Sequence, residues 1–450
     1  MAEYATPEAF AADLSEDLDT QARAAASWMA YYEGKQPLSY LAPELAREMD
    51  DRIRSVVVNW PELVVDSLEE RLDVEGFRLP GESRGDARLW EWWQANDLDV
   101  ESQIAHVETL ATGRSFVIVG AGDGFPIITV ESPEQVVVET DPRTRKVTAA
   151  LKRWCEEDVD YATLYLPDVT YFLVRNGRGG SWAQNAEPDV HRMGVVPVVP
   201  LVNRRRTREP LGRSELSSVV PLSDAACKIA TDMMVAAEFH AMPRRWAVGL
   251  SEDDFKDPEG RPISKWSKIA GRVWTAEDPE AKMGQFAEAQ LSNFHQTINS
   301  LASLVASVSG IPPHYLGMTA DNPASADAIR SAETRLIKRA ERRQRAFGGA
   351  WEQVMRIAAL VADGSVEPSW SRLETVWRDA ATPTVAQRAD AAVKLHAEGI
   401  VPTRQTREDL GYTDTQIGLM EAEDAKAVDR ILAGDMSALV GPKPAPTPQA

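Results

Sequence analysis

At 450 residues the chain is long enough for two or three domains with substantial cores, and 44% hydrophobic with 26% charged residues excludes wholesale disorder. A protein that grips nucleic acid tightly usually shows a basic face that displaces counterions from phosphates, whereas this chain, at a formal net charge of −20, would as a whole repel a polyanion. Nucleic acid is then either irrelevant to this chain or passes it without sticking, unless the charge has no electrostatic purpose at all.

The start, MAEYATPEAFAADL, has no basic region followed by an apolar run, and the most apolar stretches, such as Leu301 to Ile311, fall short of a membrane span. Cys155 and Cys227, the two cysteines, suit a reducing compartment better than a disulfide framework. A soluble intracellular product with no membrane partner is expected.

The periodicity from Pro7 to about Glu33 is helical, through Phe10, Leu14 and Leu18. A second helix is predicted from about Ala42 to Leu72, bent or restarted at Trp60-Pro61 because proline cannot continue the ladder. Trp90, Trp92 and Trp93 fall in a short helix, and another runs from Val100 to Thr112. After Gly113 the period drops to two. Strands are predicted at Phe116–Val119, Ile127–Val130, Val136–Glu139, Val147–Trp154, Tyr161–Leu166 and Val169–Val174, forming an antiparallel sheet divided by turns such as GAGDGFP and RNGRGGS.

From Ser214 to about His240 the residues Val219, Leu222, Ala226, Ile229, Met233 and Ala236 recur at spacings of three and four. From Gln290 to Ser309 the residues Leu291, Phe294, Ile298, Leu301, Val305 and Val308 do the same. Such heptad-like seams let long helices pack side by side. Between them lies Met242 to Gly284, with strand-like runs at Arg245–Val248 and Arg272–Thr275. A helical hairpin with a decorated tip is the plain reading. SGIPPHYLGMTADNPASADAIR follows, in which Pro312-Pro313 stop one helix and Asn322-Pro323 start the next. That helix should run from Ala324 to about Ala362, with a kink at Gly348-Gly349. Its first half is basic, and a solvated or interface face is the default explanation. A strand-like segment with Trp370 and Trp377 leads into helices at Val385–Glu398, Thr403–Leu410 and Thr415–Ala433. The tail, GPKPAPTPQA, should be disordered or extended.

Motifs that carry chemistry are missing. The six histidines, at positions 106, 191, 240, 295, 314 and 396, show no metal-ligand spacing, and no metal or other cofactor is expected. GxSxG and GxxxxGK[ST] do not occur. Gly120, Gly122 and Gly124 precede another strand and not a helix, so GAGDG reads as a hairpin turn and not as a dinucleotide site. EDDFKD at Glu252 to Asp257 lacks calcium-loop spacing. No catalytic residue is nominated.

The order of elements nevertheless resembles the portal proteins of tailed phages, particularly long-tailed phages of Gram-positive hosts, over about residues 25 to 435. The segments that carry the resemblance are YYEGKQPLSYL (Tyr31–Leu41), VVVNWPELVVDSLEERLDVEGFR (Val56–Arg78), GRSFVIVG (Gly113–Gly120), PVVPLVNRRR (Pro197–Arg206), GRSEL (Gly212–Leu216) and SGIPPHYLG with DNPASADAIRSAE (Ser309–Glu333). It implies an α+β portal fold. Residues 1–213 would be the wing, 214–241 and 285–309 two stem helices, and 242–284 a small α/β clip. Residues 310–323 would be a tunnel loop, 324–380 a return to the wing by a long kinked helix and strand, 381–436 a helical crown and 437–450 a disordered tail.

The resemblance further implies a ring of twelve subunits at one capsid vertex of the virion, assembled in the host cytoplasm. Double-stranded DNA would pass through it without sequence specificity. Its partners would be the terminase large subunit, a head–tail connector, and the major capsid and scaffolding proteins. His314, Tyr315, Met318, Thr319 and Asn322 become the DNA-proximal candidates, with loop packing between subunits as their plainer role. Arg335, Lys338, Arg339, Arg342 and Arg343 would neutralise acidic neighbours across subunits or touch DNA. Leu222, Ile229, Met233, Phe294, Ile298 and Leu301 would pack the stem. The alternatives are another phage head or connector protein, or an unrecognised cytoplasmic enzyme, which would need a concave site with titratable groups of shifted pKa.

Overall fold

Thr6 caps the first helix, α1 (Pro7–Tyr32), by accepting from the Ala9 N–H at 3.3 Å, with Pro7 in the opening turn where its missing donor costs nothing. The computed structural model describes residues 6–37, 56–79, 85–177, 179–241, 245–248, 282–285, 291–318, 326–381 and 385–432. Val56–Asn59 are non-helical, and α2 (Trp60–Glu69) starts at Trp60. Of the two alternatives at Trp60-Pro61, a bend or a restart, the structure has the restart, with Pro61 in the opening turn; residues 42–55 of the predicted helix lie outside the described residues. Next come β1 (Val74–Arg78), α3 (Ala87–Ala95) and α4 (Leu98–Thr112), the last closed by Gly113 at φ 105°.

Two antiparallel sheets follow where a single one was expected. Three strands, β2 (Arg114–Gly120), β3 (Ile127–Glu131) and, from further along, Val198–Val202, pair in the order β3, β2, Val198–Val202. Five more pair in chain order: β4 (Val136–Thr140), β5 (Val147–Glu156), β6 (Val159–Tyr165), β7 (Thr170–Asn176) and β8 (Ala183–Gln184). Val198–Val202 is β9, and Pro200, opposite Phe116, is tolerated because this strand is an edge. GAGDG does form the β2–β3 hairpin connection.

The period-two alternation sets the layers. Phe10, Leu14 and Leu18 of α1 bury against Ala149 and Leu151 of β5 and Leu164 of β6. Between the sheets, Ala150 of β5 and Val136 and Val138 of β4 meet Phe116 and Ile118 of β2. The intervening residues Val117 and Val119 face the other way, into the main core. That core is shared with α2 to α4 and with a 38-residue helix, Ala326–Asp363, through Leu336, Ala340, Phe347 and Trp351. The Trp93 and Trp351 rings meet edge to face there, with centroids 5.0 Å apart.

A 3-10 turn, Glu215–Ser218, leads into α5 (Val220–Ala241). This helix therefore starts six residues after the expected Ser214. A short antiparallel pair follows, β10 (Arg245–Val248) with β11 (Lys282–Gln285); the predicted strand at Arg272–Thr275 lies outside the described residues. Next is α6 (Ser292–Ser309), and α7 is the 38-residue helix Ala326–Asp363. Helical backbone runs through Gly348-Gly349 without the expected interruption. The reason is packing: a Cβ on Gly348 would lie 3.0 Å from Trp377 Nε1, and the Gly348 carbonyl accepts from Thr375 Oγ1 at 3.1 Å. Glycine at 348 lets β12 (Glu374–Trp377), which pairs with β1, lie close against the helix. Trp370 belongs to a 3-10 turn, Pro368–Arg372, and not to a strand.

Contacts divide the chain into one compact unit to Ala380 and a second from Ala381. In the second, α8 (Val385–Ala397), α9 (Thr403–Asp409) and α10 (Asp414–Leu432) bury Ala392 and Ile417, and Arg404 bridges Glu408 and Glu421 at 3.1 and 3.0 Å. The 437–450 tail lies outside the described residues.

Candidate functional site

The sequence segments singled out above meet at two polar junctions. At the first, Glu215 is buried beneath α7 and accepts from Arg339 Nη2 at 2.7 Å, from Arg204 Nη1 at 3.3 Å and from Arg343 Nη2. Burial works against the charge of Glu215, but the guanidinium groups of Arg339, Arg343 and Arg204 outweigh it and hold the carboxyl below the usual carboxylate range. Arg343 Nε also donates to Asn203 Oδ1 at 3.2 Å, and Asn203 Nδ2 donates to the Arg213 carbonyl at 2.9 Å.

Backbone completes the junction. The Asn203 N–H reaches the Gly113 carbonyl at 2.9 Å, and the Arg213 N–H reaches the Asn203 carbonyl at 3.0 Å. Gly212, at φ 80°, leaves no room for a side chain: a Cβ would sit 2.4 Å from the Asn203 carbonyl oxygen and 2.5 Å from that of Gly113. Gly113 is similarly constrained by the Arg213 backbone. The glycines of GRSFVIVG and GRSEL are therefore held in place by the close approach of the two chain segments.

The second junction ties the loop after α6 to the body. Pro313–Leu316 form a 3-10 turn between Gly310 and Gly317, both at left-handed φ. The Tyr315 hydroxyl donates to Glu333 Oε1 at 3.1 Å and accepts from Arg71 Nη2 at 3.2 Å, while Arg71 Nη1 donates to the Ala380 carbonyl at 2.6 Å. Burial raises the pKa of Tyr315, so it stays a neutral hydroxyl. Arg335 Nη1 donates at 2.6 Å to the Ser307 carbonyl, satisfying an open acceptor in the last turn of α6.

Of the tunnel-loop candidates, Tyr315 and Met318 pack on the cluster formed by Trp60, Val219, Ala226, Val305 and Ile311. His314 is exposed with its ring edge-on to Tyr315, and Thr319 and Asn322 lie outside the described residues. Of the stem candidates, Leu222, Ile298 and Leu301 are half-buried against the same cluster, and Ile229, Met233 and Phe294 are half-buried. Val308 falls off the predicted seam and is exposed; Ala302 is buried instead.

The basic run splits by helix face. Arg339 and Arg343 turn inward onto Glu215. Arg335, Lys338 and Arg342 are exposed, with Lys338 bonded to Glu341 at 2.8 Å. Glu215, Arg204, Arg71 and Glu333 were not nominated from sequence. GRSEL and NRRR were marked as segments, but a partner 124 residues away in sequence, as Arg339 is from Glu215, leaves no local signal.

No cluster of metal-ligating side chains occurs among the described residues. His106, completely buried, accepts from Trp351 Nε1 at 3.0 Å, and burial lowers its pKa to about 3, so it is a neutral core group. No helix among the described residues is long and apolar enough to cross a membrane.

Fold and junctions define an α+β protein in which a helix pair and a loop are tied by buried charge to a layered body. A family model, phage portal protein of the SPP1 Gp6-like type, matches residues 12–430. The chain is 39% identical to the portal protein of Mycobacterium phage L5, covering 89% of this chain and 83% of that protein. It is 38% identical to the portal protein of Mycobacterium phage D29, covering 85% and 81%. A chain in the neck of an empty GTA particle, computed with C6 symmetry, is similar with a TM-score of 0.49 and 13% identity, over 83% of this chain and 94% of that one. The chain belongs to the phage portal protein family.

Proposed function

We propose that this chain is the structural subunit of a twelve-membered portal ring at one capsid vertex, through which double-stranded DNA enters and leaves the head. The observation that carries the reading is the family match across residues 12–430 with two portal proteins as close relatives. Residues 1–213 and 324–380 act as the wing, α5 and α6 as the stem, 242–284 as the clip, 310–323 as the tunnel loop and 381–436 as the crown. The clip docks the terminase large subunit during packaging and a head–tail connector afterwards, and the ring is built with scaffolding and major capsid protein. It performs no catalysis. An acidic subunit suits a tunnel that DNA must slide through, because tight phosphate contacts would brake translocation.

Mass photometry of the purified chain, alone and with its scaffolding protein, followed by class averages of negative-stain images, tests this. A ring of about a dozen subunits with a central hole is expected by closed symmetry. A chain that stays monomeric or dimeric in both samples overturns the reading.

A further inference from the structure

Two surfaces of opposite charge flank α7. On one, the turn after β9 carries Arg204, Arg205 and Arg206, and α7 contributes Arg335, Lys338 and Arg342. Together they line an open groove of about 610 Å³. At its floor three guanidinium groups, from Arg204, Arg339 and Arg343, share one carboxylate, that of Glu215. Its rim keeps further positive charge: no carboxylate lies within ion-pair distance of Arg205, Arg206 or Arg342 among the described residues. In a chain of net charge −20 this concentration makes a local positive field that attracts an anionic surface.

The other surface is an acidic ridge. Glu62, Asp66 and Glu69 follow one face of α2 at spacings of four and three, and Glu70, Asp73 and Glu75 extend it. Arg378 answers Asp73 and Glu75 at 2.6 and 3.0 Å, but Glu69 has no cation within ion-pair distance among the described residues. Burial, then the carboxylates of Asp73, Asp66 and Glu70, push Glu69 up to about 7, so like charge is crowded here and Glu69 takes up a proton near neutral pH unless a cation from outside the subunit approaches it. Gln344 Nε2, on α7, donates to the Arg71 and Arg378 carbonyls beside this ridge at 3.0 and 2.9 Å. At 3.6 residues per turn, Arg335 and Arg342 lie roughly 160–180° around α7 from Gln344. Groove and ridge therefore flank opposite faces of one helix.

A closed ring of identical subunits needs a head-to-tail contact, made by two different and complementary patches on every copy. We propose that the cationic groove of each subunit receives the acidic ridge of the next, so that these two surfaces form one contact of the ring. The proposal rests on the ring reading above and adds which surfaces meet and in which direction. A second copy is favoured over DNA as the occupant because an acidic complement, in which Glu69 has no cation within ion-pair distance among the described residues, lies on the same chain.

The test is a charge swap in the full-length chain, with ring yield read by mass photometry under the conditions in which the wild type assembles. Arg205→Glu with Arg342→Glu, and separately Glu69→Lys with Glu70→Lys, should each lower ring yield roughly tenfold, and the four changes together should restore most of it. Arg205→Gln with Arg342→Gln is the milder variant, expected to lower ring yield in the same direction should the reversals unfold. Reversals that leave ring yield unchanged, or folded reversals that do not rescue one another, overturn the contact. So does a groove variant that forms normal rings but loses retention of a duplex DNA probe, which assigns the groove to DNA. A wild type that forms no ring with scaffolding protein overturns the ring reading and the contact with it, whereas wild-type rings indifferent to the reversals overturn the contact alone.

Discussion

Glu215 shows what burial does to one charge and its partners. Removing one partner from a buried ionic group leaves the rest uncompensated, and Arg204, Arg339 and Arg343 all depend on this carboxylate. Glu215→Gln should destabilise the fold by about 3 kcal/mol, read as a lower urea midpoint. Its pH dependence has a definite sign. A carboxyl whose folded pKa is depressed contributes fully above the unfolded value, about 4.3, and loses that contribution as pH falls through the folded value. The gap between wild type and Glu215→Gln should stay constant from about pH 7 to pH 5 and narrow below about pH 4; a gap that widens in acid would contradict the assignment. Glycine supplies the second residue-scale test. Gly212→Ala should cost more than about 2 kcal/mol, since backbone oxygens occupy the Cβ position and φ is left-handed. Gly177→Ala, at φ 69° with open space around it, should cost only the left-handed penalty of about 1 kcal/mol. Equal losses in a chemical-denaturation series would mean that the junction is looser than described.

At the scale of the element, periodicity made most of the helices and strands legible. Phe10, Leu14 and Leu18 gave α1, and the alternation in Phe116–Val119 gave β2, because each pattern reports directly which side faces a core. Glycine pairs and prolines were harder to read. Gly348-Gly349 reads as an interruption, yet helical backbone continues through both, one serving a neighbour and the other facing solvent. Gly349→Ala should therefore stabilise the protein by about 0.5–1 kcal/mol through helix propensity. Gly348→Ala should gain less or lose, because its Cβ meets Trp377 Nε1 at 3.0 Å. Thermal melts of the two variants side by side check the difference, and an identical gain at both positions would show that β12 gives way freely.

Across the whole molecule, the chain forms two compact units that meet in sequence at Ala380. The first has its own layered core, from α1 through both sheets to α7, so a chain ending at Ala380 should fold and melt cooperatively near the full-length protein. Calorimetry of the truncated chain checks this; loss of its cooperative transition would mean that residues 381–450 are needed for the first unit to fold.

By itself the sequence determined the element order, the acidic balance and, through its quoted segments, the family. Those properties are local, or are carried by motifs that can be read along the chain. Only the tertiary structure decided that GRSFVIVG, NRRR and GRSEL converge on Glu215, and that HYLG reaches Arg71 and Glu333. It also decided that the basic run on α7 divides, with Arg339 and Arg343 used inside the subunit and Arg335 and Arg342 left at the surface. The physical reason is that a buried charge draws partners from separate elements, some of them more than a hundred residues away, and no pattern along the chain records which ones fold together.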